Sequence, residues 1–233
     1  MSEALDKTRG VKQLPLFPLP VILFPGTPLP LHIFEPRYRQ MLKDIQITNN
    51  LFGIPFFDAG DSDETRPLAG TIGCVAELRD EQGMEDGRSN VLTVGIIRFR
   101  LEDYVDANEP YYVGEVSYFE DEPEDAELLE PRARAVKELF MRVAKAVREL
   151  AGENAGLPDL PDITPEQLSF FVAAAIDFDI KLKYELLEMR STGERLKRLY
   201  ELLSQAVSQV EERADIHKIA QTNGHSKKKI DLP

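Results

Sequence analysis

The chain contains, at residues 14–42, the proline-rich apolar stretch LPLFPLPVILFPGTPLPLHIFEPRYRQML. Proline has no backbone N–H to give to a β-ladder, so the part up to Pro30 is predicted to form an edge strand or an extended arm. Pro36 then fits the first position of a helix. The apolar residues that follow it fall at i, i+3, i+4 and i+7, on one helical face: Tyr38, Met41, Leu42 and Ile45. A short helix is therefore predicted after the arm.

Beyond this helix the sequence changes to short runs of β type. Val, Ile, Tyr and Phe are concentrated in runs that polar and Gly-bearing segments separate: LFGIPFF at 51–57, GTIGCVAEL at 70–78, NVLTVGIIRFRL at 90–101 and YYVGEVSYF at 111–119. Both faces of the third run are largely apolar, which indicates a strand covered on both sides. Asp86 and Gly87 are typical of a tight hairpin turn before that run. A β-rich subdomain is predicted over residues 14–119.

After Phe119 the hydrophobic period changes from two residues to 3.6. Residues 120–130 hold seven carboxylates and are predicted to be an acidic linker. A helical bundle is predicted over residues 131–216, because apolar stripes and capping boxes recur there. They indicate helices at 136–150, from Thr164, at 180–189 and from Ser191. Residues 1–13 are predicted to be a flexible N-terminus and residues 217–233 a mobile tail.

The composition disfavours several classes of partner. The chain has 28 Lys and Arg against 41 Asp and Glu, a net charge of -13, and both halves are acidic. Such a field repels nucleic acid and anionic membrane surfaces. One cysteine, Cys74, cannot form an intrachain disulfide or a cysteine-based zinc site. No apolar run approaches the roughly 20 residues of a membrane span, so we expect a cytoplasmic protein that binds neither nucleic acid nor membrane.

No sequence pattern indicates catalysis or metal binding. The P-loop, HExxH and GxSxG motifs are absent, and His32, His217 and His225 are scattered along the chain. Cys74 lies in an apolar run and is predicted to be a buried, unreactive thiol. We therefore expect no catalytic residue, no metal and no cofactor.

Three stretches resemble one known family. Residues 14–42 resemble the opening of the N-terminal, substrate-binding domain of the ATP-dependent protease Lon. DGRSNVLTVGIIRFRLEDY at 86–104 and LSFFVAAAIDFDIKLKYELLEMRSTGERLKRLYELL at 168–203 resemble later segments of that domain. The resemblance implies an α+β fold, in which a PUA-like mixed β-barrel forms the N-terminal half and an α-helical bundle follows it.

The resemblance also implies a function. In the family this module engages unfolded or degron-bearing polypeptide and helps the protease assemble. The ATPase and peptidase domains that follow it in the full-length protease are missing here, as in stand-alone Lon-domain proteins of bacteria. The implied function is non-enzymatic protein binding. The alternative is a regulatory subunit that docks on a separate protease or on another folded partner. The sequence indicates no oligomeric state, and no role for Lys227, Lys228 and Lys229.

The candidate peptide contacts lie around the arm and the hairpin. The apolar candidates are Phe17, Phe24, Pro25 and Phe34. The polar candidates are Glu35, Arg37 and Tyr38 at the junction of arm and helix, with Arg88 after the hairpin turn. Unpaired backbone groups of the arm are expected to accept an extended peptide by partial strand addition. The alternative is that these residues pack the arm onto the barrel and pair their charges internally.

Overall fold

The structure, a computed structural model, describes residues 2–60, 64–152 and 162–223. Its strands are β1 (Gln13–Leu16), β2 (Pro28–Ile33), β3 (Leu51–Pro55), β4 (Ile72–Gly83), β5 (Ser89–Val105) and β6 (Tyr112–Phe119). Its helices are α1 (Glu3–Lys7), α2 (Pro36–Gln46), α3 (Ala126–Leu150), α4 (Pro165–Ala175), α5 (Ile180–Glu188) and α6 (Thr192–Asn223). In these ranges no helix has the length and apolarity that a membrane span requires.

Five of the strands close into a barrel. Their order is β5, β4, β3, β1, β6, and β6 pairs back onto β5. Strands β1 and β3 are parallel, whereas the other described pairs are antiparallel. Closure depends on the length of β5, which has 17 residues. Its first half pairs with β2, its second half pairs with β6, and β4 runs along both. The predicted α+β class with a mixed β-barrel is confirmed.

Helix α2 closes one side of the apolar core. It begins at Pro36, as predicted, and buries the predicted face: Tyr38, Met41, Leu42 and Ile45. The predicted hairpin is also confirmed, because Gly87 adopts a φ of 78°, in the left-handed region that glycine tolerates best. The prediction that the run at 90–101 is covered on both faces is wrong for Leu92, which is 41% exposed. A register shift near Gly95 places the buried Arg98 on the same face of β5 as Val91 and Thr93, opposite to Leu92.

The described residues divide into two compact units. The first unit comprises 1–123 and 166–192, and the second comprises 124–165 and 193–233. The observed division differs from the predicted bundle over 131–216, because α4 and α5 belong to the barrel unit. Helical periodicity reveals a buried face but not the element that covers it.

A buried arginine joins α5 to the barrel. Arg98 of β5 is 1% exposed. Its Nη1 donates to the backbone carbonyl oxygen of Leu187, at 2.9 Å, and to that of Met189. Its Nη2 donates to Oδ1 of Asp121, whose side chain is also buried. The Thr192 hydroxyl donates to the other oxygen of the same carboxylate. The guanidinium thus connects β5, the segment after β6, and the end of α5.

Aromatic contacts complete the attachment of the two helices. The backbone N–H of Ile72 donates to the Tyr184 hydroxyl of α5 at 2.9 Å. The Phe170 ring of α4 lies 6.1 Å from the Phe24 ring, centroid to centroid. The same Phe170 ring lies 5.2 Å from the guanidinium carbon of Arg98. These contacts explain why α4 and α5 group with the barrel.

The segment predicted as an acidic linker, residues 120–130, is structured. Asp121 is the buried partner of Arg98. Asp125 caps α3, because its carboxylate accepts a hydrogen bond from the backbone N–H of Glu127. Carboxylates are favourable at a helix N-terminus, where backbone N–H groups are unpaired. The charge run therefore supplies a buried ion pair and a helix cap.

The chain ends also differ from the predictions. Residues 1–13, predicted to be flexible, contain α1, which the Ser2 hydroxyl caps. Leu5 and Val11 pack against the barrel core. At the other end, α6 extends to Asn223, so the predicted tail begins within a helix. The rest of that prediction, residues 224–233, lies outside the described residues.

The second unit is built on α3 and α6. Each helix buries one face, and the predicted stripes are confirmed in part, because Val147 and Tyr200 are 50% and 47% exposed. The buried residues are Leu129, Ala133, Val136, Phe140, Val143 and Ala146 of α3, with Leu196, Leu199, Leu203 and Val207 of α6. The Gly193 backbone N–H donates to Oε1 of Glu124 at 3.0 Å. This bond satisfies one of the unpaired donors at the start of α6.

Removing the Arg98 guanidinium should destabilise the barrel unit. We expect Arg98→Met to lower the free energy of unfolding by about 3–5 kcal/mol, because Asp121 would remain buried without its cation. Urea unfolding followed by circular dichroism measures the loss.

Arg190→Met is the matched control for that substitution. Nη1 of Arg190 lies 4.0 Å from Oε1 of Glu122, and both side chains are exposed. An exposed pair contributes about 0–1 kcal/mol. Equal losses in the two variants would contradict the role assigned to Arg98.

Burial should keep the Cys74 thiol unreactive. Desolvation raises its pKa from 9.0 to about 12, which agrees with the predicted inert thiol. In the unfolded chain the Cys74 thiol ionises at a lower pH than it does in the folded protein. The contribution of the buried neutral thiol to the free energy of unfolding is therefore complete below about pH 9 and is lost as pH rises toward about 12. We expect no labelling by a disulfide reagent at pH 8 without urea, and complete labelling in urea.

The same reasoning predicts a smaller alkaline loss of stability in Cys74→Ala than in the wild type, measured between pH 9 and pH 10.5. The remaining loss reports the other groups whose pKa is raised: Tyr104 and Tyr118, whose pKa burial raises to about 12, and also Tyr38, Tyr111, Tyr184 and Lys7. Rapid native labelling at pH 8 would show that the thiol is accessible.

Candidate functional site

Some predicted contact residues lie inside the core. Phe17, Phe24 and Tyr38 are buried. The Phe17 ring lies 4.1 Å from the Tyr38 ring and 6.3 Å from the Phe52 ring, between centroids. Phe24 packs on Phe170. For these three residues the structure agrees with the packing alternative, since no peptide can reach them in this conformation.

The other predicted residues reach the surface. Pro25, Glu35 and Arg37 are partly exposed. Phe34 is 58% exposed, and its ring stacks on that of His32, with centroids 6.1 Å apart. A phenylalanine in this position keeps a large apolar area in contact with water.

The charged candidates are paired with their neighbours. Nε of Arg37 donates to Oε2 of Glu35 at 2.9 Å, and its guanidinium carbon lies 4.5 Å from the centroid of the Tyr38 ring. Nη2 of Arg88 lies 2.6 Å from Oδ2 of Asp86. The hydrogen bond from Arg88 lowers the pKa of Asp86. Each arginine therefore stands beside a carboxylate that balances its charge.

Strand pairing brings Phe34 and Arg88 together. Ile33 at the end of β2 lies opposite Ser89 at the start of β5. Phe34 comes directly after this pair on one strand, and Arg88 directly before it on the other. The arm and the hairpin, which the sequence analysis treated separately, thus meet at one end of a two-stranded ribbon.

An apolar surface extends along this ribbon from Phe34, and we call it the β2 face. Alternate residues of β2 point outward, while Leu29 and Leu31 pack against the core. The outward residues of the two strands are Pro28, Pro30 and His32 of β2 and Asn90 and Leu92 of β5, with Phe34 at the end. Pro30 pairs with Leu92, and Nδ1 of His32 lies 2.7 Å from Oδ1 of Asn90. The β2 face is therefore an apolar strip with one polar pair.

The free edge of β2 is poor in hydrogen-bond donors. The backbone N–H of Gly95 donates to the carbonyl oxygen of Thr27, so Thr27 and alternate residues after it direct their backbone groups to β5. Pro28 and Pro30 occupy the intervening positions. They face the free edge without an N–H to offer. Strand addition at this edge is therefore disfavoured, and a ligand of the β2 face would be held by its side chains.

Of the residues of this surface only Phe34 was predicted as a contact; Leu92, His32, Asn90, Pro28 and Pro30 were not. The signal was the alternation in NVLTVGIIRFRL, which separates Leu92 from the core residues Val91 and Thr93. The residues on both faces of this run are largely apolar, so the alternation alone did not show which face the core covers and which face meets solvent. Within the described ranges, no three His, Cys, Asp or Glu side chains are grouped as metal ligands would be.

Comparison with known proteins gives a family match over most of the chain. A family model of the ATP-dependent protease La (LON) substrate-binding domain matches residues 13–205. Lon protease of Cytophaga hutchinsonii is 26% identical over 218 residues, which cover 91% of this chain and 26% of that protein. Lon protease of Aquifex aeolicus is 28% identical over 225 residues, which cover 91% of this chain and 27% of that protein. The chain thus spans about a quarter of the length of these relatives.

Solved structures agree with the family match. A Lon N-terminal domain protein from Xanthomonas campestris has a TM-score of 0.57 and 26% identity, covering 81% of this chain and 97% of that one. The N-terminal domain of Lon protease from the Mycobacterium avium complex has a TM-score of 0.60, covering 83% of this chain and 98% of that one. It is 20% identical and supports the fold alone. These matches confirm the resemblance found in the sequence.

The prolines of β2 should prevent edge-to-edge association. We expect the double variant Pro28→Thr with Pro30→Thr to self-associate, because threonine restores two N–H donors to the free edge and favours strand structure. Sedimentation velocity over a range of concentrations measures the effect. Pro20→Thr, an exposed proline outside β2, is the control. An unchanged sedimentation coefficient in the double variant would refute the protective role.

Proposed function

Because the chain belongs to the family of ATP-dependent protease La (Lon) substrate-binding domains, we propose that it binds unfolded or degron-bearing polypeptide through the β2 face. The observation that supports this proposal is the exposure of Phe34 and Leu92 on one apolar strip. Folded proteins bury most large apolar side chains, whereas unfolded chains present them to solvent. A surface of this kind therefore distinguishes the two states without reading a defined sequence.

Side-chain contacts should carry the binding. Pro28 and Pro30 disfavour a main-chain ladder at the edge of β2, so a bound segment gains free energy by covering apolar area. Covering apolar area contributes about 25 cal/mol per Å² to the free energy of binding. One aromatic ring that is only partly exposed beforehand therefore contributes about 1–2 kcal/mol. A strip with a few such contacts supports weak, broad recognition with micromolar affinity.

Charge should bias the choice of ligand. The ion pairs Glu35–Arg37 and Asp86–Arg88 balance their charges near the Phe34 end of the β2 face, while Asp80 lies opposite Leu92 on the neighbouring strand and the whole chain carries -13. The long-range field therefore favours neutral or basic segments over acidic ones, more strongly at low ionic strength.

We propose a non-enzymatic role for the chain. The matched family model describes a domain that binds substrate, and the surface that carries the proposal consists of apolar side chains and paired charges. Binding of this kind needs no metal and no cofactor. Its expected biological setting is protein quality control, in which recognition of unfolded chains precedes proteolysis.

Fluorescence anisotropy tests this proposal. The chain is titrated into dye-labelled ribonuclease A that has been reduced and carboxamidomethylated, and in parallel into labelled native ribonuclease A. The two probes share their sequence and differ in folding. Saturable binding to the unfolded probe alone supports the proposal. Absence of binding to either probe refutes it and favours the alternative, docking on a specific folded partner such as a protease.

Substitutions on the β2 face should weaken binding without unfolding the protein. We expect Phe34→Ser to reduce the affinity for the unfolded probe about five- to thirty-fold, corresponding to the loss of about 1–2 kcal/mol of apolar contact. Leu92→Ser should act in the same direction and to a smaller extent. Anisotropy titration gives the affinity, and urea unfolding verifies that stability is kept.

Ile47→Ser is the matched control, because Ile47 is 84% exposed and lies beyond the end of α2, outside the β2 face. Its affinity for the unfolded probe should equal that of the wild type. If Ile47→Ser weakens binding as much as Phe34→Ser, general surface hydrophobicity is responsible and the β2 face is not the site.

A further inference from the structure

A separate apolar cavity of about 250 Å³ opens on the barrel unit. Its walls come from the segment after β3, from the segment before β4 and from the start of α5. The apolar walls are Phe56, Phe57, Pro67, Leu68 and Ile180. None of these residues belongs to the β2 face.

The size of the cavity suits one ring. Pockets for drug-sized ligands have volumes of about 300–1,000 Å³, and a cavity of about 150 Å³ holds benzene. A volume of 250 Å³ lies between these values. The cavity is therefore too small for most whole ligands and large enough for a single phenyl, phenol or indole group.

Contacts behind the walls hold the cavity in shape. The Phe56 ring packs on the Tyr184 ring of α5, with centroids 5.8 Å apart. The Tyr104 hydroxyl donates to the carbonyl oxygen of Pro67 at 2.7 Å. The Arg66 guanidinium carbon lies 3.9 Å from the centroid of the Tyr104 ring. A cavity held open in this way loses little conformational entropy when it is filled.

The mouth of the cavity combines an exposed apolar side chain with charged ones. Leu68 is 59% exposed. Both signs of charge surround it, from Asp58, Glu64, Arg66 and Lys181. An apolar floor inside a polar rim is the arrangement found at the energetic centre of protein interfaces, where aromatic side chains are the commonest anchors.

We infer that this cavity binds one aromatic side chain of the polypeptide held by the chain. The occupant is a Trp, Tyr or Phe side chain in an extended segment, with its ring between Phe56, Phe57 and Leu68 and its backbone near the charged rim. This inference rests on the proposed function. It adds a preference for aromatic residues, which the open β2 face does not impose.

Tryptophan fluorescence tests the inference directly, because the chain contains no tryptophan. The probe is the capped peptide acetyl-Gly-Ser-Trp-Ser-Gly-amide, titrated with the full chain. We expect a saturable blue shift of its emission as the indole leaves water. The capped peptide with Ala in place of Trp should not compete with it.

Leu68→Asp should weaken the binding of this peptide at least ten-fold, because it removes an apolar wall and adds a carboxylate at the mouth. Leu128→Asp is the matched control, since Leu128 is 65% exposed and lies on α3 of the second unit. The control should bind the peptide as the wild type does. Urea unfolding of both variants verifies that neither loses stability.

The outcomes separate this inference from the proposed function. If unfolded ribonuclease A binds and the Trp peptide gives no saturable shift, or if Leu68→Asp binds the peptide normally, the cavity assignment is overturned and the proposed function stands. If unfolded ribonuclease A fails to bind as well, both are overturned. A saturable shift that Leu68→Asp abolishes and Leu128→Asp keeps supports the cavity as an aromatic anchor.

Discussion

The buried guanidinium of Arg98 is the interaction on which the barrel unit depends. It emerges from the middle of β5 and meets the carboxylate of Asp121 and the last carbonyl groups of α5, at Leu187 and Met189. A buried cation requires partners at all its donors, so β5, the end of β6 and α5 must be assembled together. Helices α4 and α5 therefore belong to the barrel, although the chain enters the second unit before it reaches them.

The same strand that carries this cation also leaves part of its surface open. Arg98 is buried in the second half of β5, whereas Leu92 in the first half stays in contact with solvent. Strand β2 extends that open part, and its prolines keep the edge from pairing with another strand. Proline thus permits an exposed apolar face without the strand addition that such a face would otherwise favour.

Features that depend on residues a few positions apart were predictable from the sequence, whereas those that depend on distant residues were not. The face of α2, the hairpin at Gly87 and the starts of α4 and α5 were predicted, because each follows from residues a few positions apart. For the candidate site, Phe34 and Arg88 are at the surface, but Phe17, Phe24 and Tyr38 are buried. An apolar residue in a proline-rich arm is equally suited to packing and to binding, and its sequence neighbours do not distinguish the two.

The family, the α+β class, the limits of α2 and α5, the starts of α4 and α6 and the acidic character that disfavours nucleic acid follow from the amino-acid sequence alone, because periodicity, backbone chemistry and net charge are properties of short segments or of the whole composition. Three features appear only in the folded chain: Arg98 and Asp121 are buried partners, α4 and α5 attach to the barrel, and Phe34, Leu92 and Leu68 remain exposed. Burial depends on groups that approach from distant parts of the chain. Arg98 and the carbonyl of Leu187 are 89 positions apart, and no local pattern records that contact.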